Sequence, residues 1–171
     1  MPSRNPHMTR RTTIAISTVA VVVLLGSAMA PVSLVHVEGP DGASLVCRRV
    51  ANTTTIALTF THSMYGGDVT EMFAPAAGDG LTRTTILADN AAAAEYYAWD
   101  GAVREVDGRY EVLVPDQVFG QLAVRVDRIG NHRLAIDGET YSLVSMVDGS
   151  ARVWLRIVTR PLLTQVFWAR C

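Results

Sequence analysis

Lysine is absent: all 15 basic residues of the 171-residue chain are arginines. This excludes Schiff-base chemistry on a lysine amine and the lysine of a phosphate-binding loop, so the usual nucleotide-hydrolysing sites are not encoded. Charge is also sparse, at 18% of residues, and a net charge of −1 leaves no basic field that would hold nucleic acid. The four histidines and two cysteines fall at no zinc-type spacing, so neither a metal nor a cofactor is expected. No Gly/Ser or Pro tract divides the chain and no repeat of 20 to 50 residues is present, which argues against a multidomain or solenoid architecture. What the sequence does have is apolar surface, at 49% of residues, enough for a folded core or a membrane segment.

That apolar character is densest near the start. Arg4, Arg10 and Arg11 precede an uninterrupted uncharged run from Thr12 to Val37. As a helix, residues 12–30 would reach about 28 Å at roughly 1.5 Å per residue, close to the hydrocarbon thickness of a bilayer. Residues 1–30 are therefore expected to be a signal anchor, contacting the membrane through residues 12–30. The three leading arginines would keep the N-terminus cytoplasmic and place residues 31–171 outside as one extracytoplasmic domain. Ala28-Met29-Ala30 also satisfies the small-x-small rule of a cleavable signal peptide, with secretion as the outcome, although Pro31 is unfavourable just after the cut. In an oxidising compartment the pair Cys47 and Cys171 permits one disulfide without requiring it.

From Val32 onward, short β-branched or alternating runs are separated by Gly66-Gly67, Asp79-Gly80, Asp107-Gly108, Asp137-Gly138 and Asp148-Gly149. About nine strands are predicted. In the last of these, Ala151 to Val158, Val153, Leu155 and Ile157 share one face. The final three strands read as a meander. Only Asn90 to Trp99, rich in alanine, has helical character, and Leu162 to Ala169 is a short apolar tail. The fold class expected is all-β, a single antiparallel β-sandwich or partly open barrel.

The densest polar stretch is Phe60-Thr-His-Ser-Met-Tyr-Gly-Gly-Asp-Val-Thr-Glu71. With the hairpin tip at Gly66-Gly67, His62 and Glu71 could approach across the strand pair. They could form a hydrogen-bonded structural pair, a ligand contact or a general base with its orienting group. Ser63 neighbours His62 in sequence, so the two side chains would face opposite sides of a strand and make no nucleophilic dyad. Gly130-Asn131-His132-Arg133 reads as a turn leading into a strand, with Asn131, His132 and Arg133 as candidate rim contacts.

These stretches resemble the bacterial and archaeal family called domain of unknown function 1850, whose members accompany TAXI-type TRAP transporters. The resemblance rests on Ile56-Ala-Leu-Thr-Phe-Thr-His-Ser-Met64 with Val69-Thr-Glu71, and on Ile129-Gly-Asn-His-Arg-Leu134 with Asp148-Gly149. It extends to His62, Ser63, Glu71, Asn131 and His132, and it departs at Ala91 to Trp99, where alanines replace a glycine-rich segment. It implies a non-catalytic accessory protein of solute uptake, partnered by a transporter subunit or solute receptor. Two other functions remain open on the residues: an extracytoplasmic binder of small carboxylates using His62, Glu71 and arginine, and an enzyme using His62.

Overall fold

The computed structural model describes residues 29–162, apart from 99, 100 and 116, together with residue 164. All but the last two residues of the expected anchor or signal segment, Cys171, and most of the Leu162 to Ala169 tail lie outside the described residues. No helix among the described residues is long and apolar enough to cross a membrane. The chain divides into two compact units, and the larger, built on Ser33–Thr159, carries the architecture described next.

The alternating patterns do form strands, and the protein is predominantly β. The described residues form twelve strands: β1 (Pro31–Glu38), β2 (Ser44–Val50), β3 (Ile56–Thr61), β4 (Asp68–Pro75), β5 (Leu81–Ala88), β6 (Val103–Val106), β7 (Arg109–Val112), β8 (Gln117–Phe119), β9 (Leu122–Val126), β10 (Arg133–Ile136), β11 (Glu139–Ser142) and β12 (Ala151–Pro161). The helix α1 (Ala91–Ala98) follows β5, and a 3-10 turn covers Leu143–Met146. The three strands beyond the nine expected are β1, β6 and β8. β1 carries no alternation because five of its eight positions, at 32 and 34–37, are buried, and β8 has only three residues.

The strands form two antiparallel sheets. A four-stranded sheet has the order β2-β1-β12-β9, and an eight-stranded sheet runs β11-β10-β3-β4-β5-β7-β6 with β8 added beside β5. Type I′-like turns at Asp107-Gly108 and Asp137-Gly138, with φ of 52° and 76° and of 48° and 86°, close the β6–β7 and β10–β11 hairpins. Their backbone twist matches that of the strands they join. The expected meander stops there. β12 leaves the sheet of β10 and β11 and pairs with β9 in the four-stranded sheet, from Ala151↔Val126 to Leu155↔Leu122.

One apolar cluster joins the two sheets. Val35, Val37, Val46, Val124, Val153, Leu155 and Ile157 from the narrow sheet meet Ile56, Leu58, Phe73, Leu81, Leu134 and Ile136 from the wide one. The inward row of β12 is the one its alternation indicates. Phe73 is the largest fully buried side chain among the described residues, and its truncation to alanine would cost about 3–5 kcal/mol on the usual scale of aromatic core deletions. A second cluster lies farther along the wide sheet, where Val69, Ile86, Ala88 and Val112 pack under Ala93 and Ala94 of α1. The alanines suit this position because their small side chains let the helix backbone come close to the strands. Asn90 caps the helix, its Oδ1 accepting from the Ala93 N–H at 2.9 Å.

The inner face of the wide sheet is thus covered by two different elements. The narrow sheet covers one part and α1 covers the other, with a seam between them.

Candidate functional site

His62 follows directly on β3 and closes the link to β4. Its backbone N–H donates to Gly67 O and its carbonyl accepts from Gly66 N–H, both at 2.9 Å. Its ring, 6% exposed, is turned back onto the turn it closes: Nδ1 accepts from the Met64 and Tyr65 N–H groups, each at 3.2 Å. An accepting Nδ1 leaves the ring proton on Nε2, so the side chain works as a turn cap whose remaining nitrogen can donate but not accept. The hairpin tip therefore falls at Ser63–Tyr65 rather than at Gly66-Gly67, and the register moves with it. Glu71 faces Leu58, not His62. At roughly 3.3 Å per residue, the four positions from Leu58 to His62 put the two candidates about 13 Å apart along the strand.

Aromatic rings surround His62. Tyr65 lies 4.9 Å away and tilted, Tyr96 at 5.1 Å and Tyr97 at 6.0 Å, both edge-on. Tyr97 also meets Phe60 at 6.2 Å, and Phe60 stacks on His132 at 5.6 Å. His62 and His132 thus belong to one aromatic assembly, joined through Phe60 and Tyr97, at one end of the wide sheet. Burial holds His132 below the usual histidine range, against the opposing charge of Asp127. Its Nδ1 is buried without a hydrogen-bond partner.

The other candidates separate from this assembly. Ser63 is exposed in the turn. Asn131 is exposed in a left-handed conformation (φ 44°), its turn fastened by Asp127 Oδ1 accepting from Gly130 N–H at 2.7 Å. Arg133 lies on the opposite face of the sheet, paired through Nη2 with Asp68. The sheet itself keeps Arg133 from the two histidines. Cys47 is disulfide-bonded.

Glu71 shares the inner face with Val69 and Phe73, one apolar cluster on either side, and its strand partners are Leu58 and Ile86. A carboxylate in such a row needs a counter-charge. Arg83 supplies it, Nη1 to Oε2 at 3.1 Å, with the two side chains only 14% and 17% exposed. Arg83 reaches this face through a bulge: β5 is paired Met72↔Thr85 and then Phe73↔Arg83, so Thr84 is the extra residue. Burial pushes the Glu71 carboxyl up, with Arg83 pulling it back. Burial, helped by the same carboxylate and by Tyr96, drives the Tyr97 hydroxyl up to about 12.

Two residues that sequence reasoning missed complete this pair. Gln117 Oε1 accepts from Arg83 Nη2 at 3.0 Å, and the Phe119 ring lies 5.1 Å beneath the guanidinium. The ion pair sits in the seam between the portion of the wide sheet under the narrow sheet and the portion under α1. Among the described residues no three His, Cys, Asp or Glu side chains converge as metal ligands.

A family model described as a domain of unknown function (DUF1850) matches residues 56–143, just over half of the chain. The match spans β3 through β11 and so contains the whole wide sheet, α1, both histidines and the Glu71–Arg83 pair. No curated protein and no solved structure matches the chain.

Proposed function

The chain belongs to the domain of unknown function 1850 family, and from that premise we propose that it is a non-catalytic accessory domain, held outside the cytoplasmic membrane, that docks a component of a solute transporter through the aromatic end of its wide sheet. The observation that carries this reading is the exposure of four large apolar side chains around the two histidines: Met64 71%, Tyr65 45%, Tyr96 57% and Ile129 72%. Tyrosine and methionine are enriched at protein interfaces, where they bring large contact areas. Here they are also held in place before any partner arrives. His62 fixes the Met64–Tyr65 turn, and Asn90 Nδ2 donates to Gly66 O at 2.9 Å, tying that turn to the start of α1. Preorganisation of this kind lowers the ordering cost of binding.

The location outside the membrane is supported by the uncharged run behind three arginines and by a disulfide at Cys47, which persists in oxidising compartments. A tethered domain meets membrane partners at high effective concentration, so a modest interface suffices.

Copurification tests the reading. Full-length protein is solubilised from membranes and its companions identified, beside a Tyr65→Ser/Tyr96→Ser variant shown by circular dichroism to be folded. The wild type should retain a transporter subunit or solute receptor that the variant loses. Equal retention by both, or recovery of the full-length chain from the soluble cytosolic fraction, would refute it.

A further inference from the structure

The seam holds an unsatisfied recognition edge. A guanidinium presents Nε–H and one N–H of Nη2 side by side, a fork matched to the two oxygens of a carboxylate. In Arg83 that edge has only one acceptor, the neutral Gln117 amide oxygen on Nη2, while Nε is buried with no partner. Arg133 and Arg156 also leave Nε unpaired, but their Nη2 groups are already taken by carboxylates, Asp68 and Glu38 respectively. An incoming anion would have to expel a like charge there. At Arg83 it need only displace an amide.

The surroundings fit such an exchange. Gln117 is exposed and belongs to β8, three residues long and paired only at Leu81–Arg83 of β5. Short edge strands with few buried contacts open at low free-energy cost. Phe119 gives the guanidinium an aromatic floor, with Phe73 6.3 Å beyond it. Glu71 occupies the Nη1 side, so the Nε–Nη2 edge is free of it.

We propose that the Nε–Nη2 edge of Arg83 binds the carboxylate of a small organic acid, which enters by displacing the Gln117 amide and lays its apolar body against Phe119. This transfers the carboxylate-binding expectation from His62 and Glu71 to Arg83 and Gln117, and it is independent of partner docking at Tyr65 and Tyr96.

Titration calorimetry of the intact protein with benzoate and with acetate, and with the isosteric neutral benzamide as control, tests it. Benzoate should bind, acetate more weakly and benzamide not at all. Gln117→Ala removes the competing acceptor and should tighten benzoate about fivefold, the worth of one net hydrogen bond near 1 kcal/mol. An Arg83→Gln/Glu71→Gln variant, which keeps the seam uncharged, should lose binding. Gln117 is at the surface, so its variant decides the question even if the double variant does not fold. An affinity unchanged or weakened in Gln117→Ala, benzamide binding as well as benzoate, or no heat in either protein up to about 20 mM benzoate would overturn the proposal.

Discussion

Replacing Glu71 by leucine strands the Arg83 guanidinium in the seam, whereas replacing Arg83 by methionine strands the Glu71 carboxyl, and the two errors are not equivalent. Removal of one partner from a buried ion pair commonly costs 3–5 kcal/mol; with the two side chains 14% and 17% exposed, about 2–4 kcal/mol is expected for Glu71→Leu. Arginine cannot shed its proton, so that cost should be the same at about pH 8 and about pH 5.5. Glu71 can take one up. Its carboxyl is already raised by burial, and Arg83 is the only influence resisting the rise, so in Arg83→Met it moves higher still. A carboxyl whose folded pKa lies above its unfolded value destabilises the fold at high pH and does so less as pH falls through the folded pKa. Arg83→Met should therefore be costly at about pH 8 and recover part of the loss by about pH 5.5. The double replacement Glu71→Leu/Arg83→Met leaves apolar side chains of similar length between two apolar clusters and should fall within about 1 kcal/mol of the wild type. Urea unfolding of all four proteins at both pH values gives the cycle, with m unchanged as the check that the transition remains comparable. If the single losses simply add in the double variant, or if neither single reaches about 0.5 kcal/mol, the pair is solvated and the seam is not dry.

Asn90→Ala removes the cap of α1 and the bond to Gly66 O together, so a loss of about 1–2 kcal/mol is expected in urea unfolding, with faster amide exchange at Met64 and Tyr65. A smaller loss with unchanged exchange would mean that the turn is held by His62 alone. Gly130→Ala would set a Cβ 2.8 Å from His132 Nδ1, forcing the ring off its stack on Phe60, and a destabilisation of about 1–3 kcal/mol should appear in thermal melts. His132→Phe keeps the stack and removes the titration. Because the folded pKa of His132 lies below its unfolded value, this residue favours the unfolded state as pH falls below about 6.5, so the variant should lose less stability than the wild type between about pH 7 and pH 5. Parallel stability profiles for the two proteins would contradict the burial argument.

Much of the fold is legible in single residues. Val153, Leu155 and Ile157 indicate the core face of β12, the Asp-Gly dipeptides mark two hairpins, and the alanine run marks α1. The destination of β12 is not legible, since Asp148-Gly149 reads like the hairpin turn at Asp137-Gly138 and strand pairing across sheets leaves no local trace. β1 escapes because burial on both sides removes its alternation and joins it to the preceding apolar run. At the site, Glu71 shares the parity of Val69 and Phe73, so its inward direction can be read from the sequence, but its partner cannot. Counting back by two from Ile86 and Ala88 sends Arg83 outward. Only the extra residue Thr84 brings it in. The separation of His62 from Glu71 is hidden for a similar reason: two glycines read as the tip, while a histidine side chain capping two amides sets it two residues earlier.

A difference in width ties these observations together. The wide sheet orders seven strands side by side and the narrow one four, so the narrow sheet cannot cover the whole inner face. An uncovered apolar remainder would be a standing invitation to aggregation, and α1 removes most of it by docking Ala93 and Ala94 on Val69, Ile86 and Val112. Two covers of different kind cannot meet without a boundary, and it is at this boundary that the chain places its ion pair. Every residue of the pair, of the Gln117–Phe119 edge and of the aromatic end lies within residues 56–143, whereas β1, β2 and β12, three of the four covering strands, lie outside that span. The family-matched segment therefore carries both proposed surfaces, and most of the strands covering the core come from the sequence flanking it. On this division, apolar substitutions in the inward row of β12 should change stability without changing the affinity of either surface. Substitutions at Gln117 or Tyr96 should do the reverse.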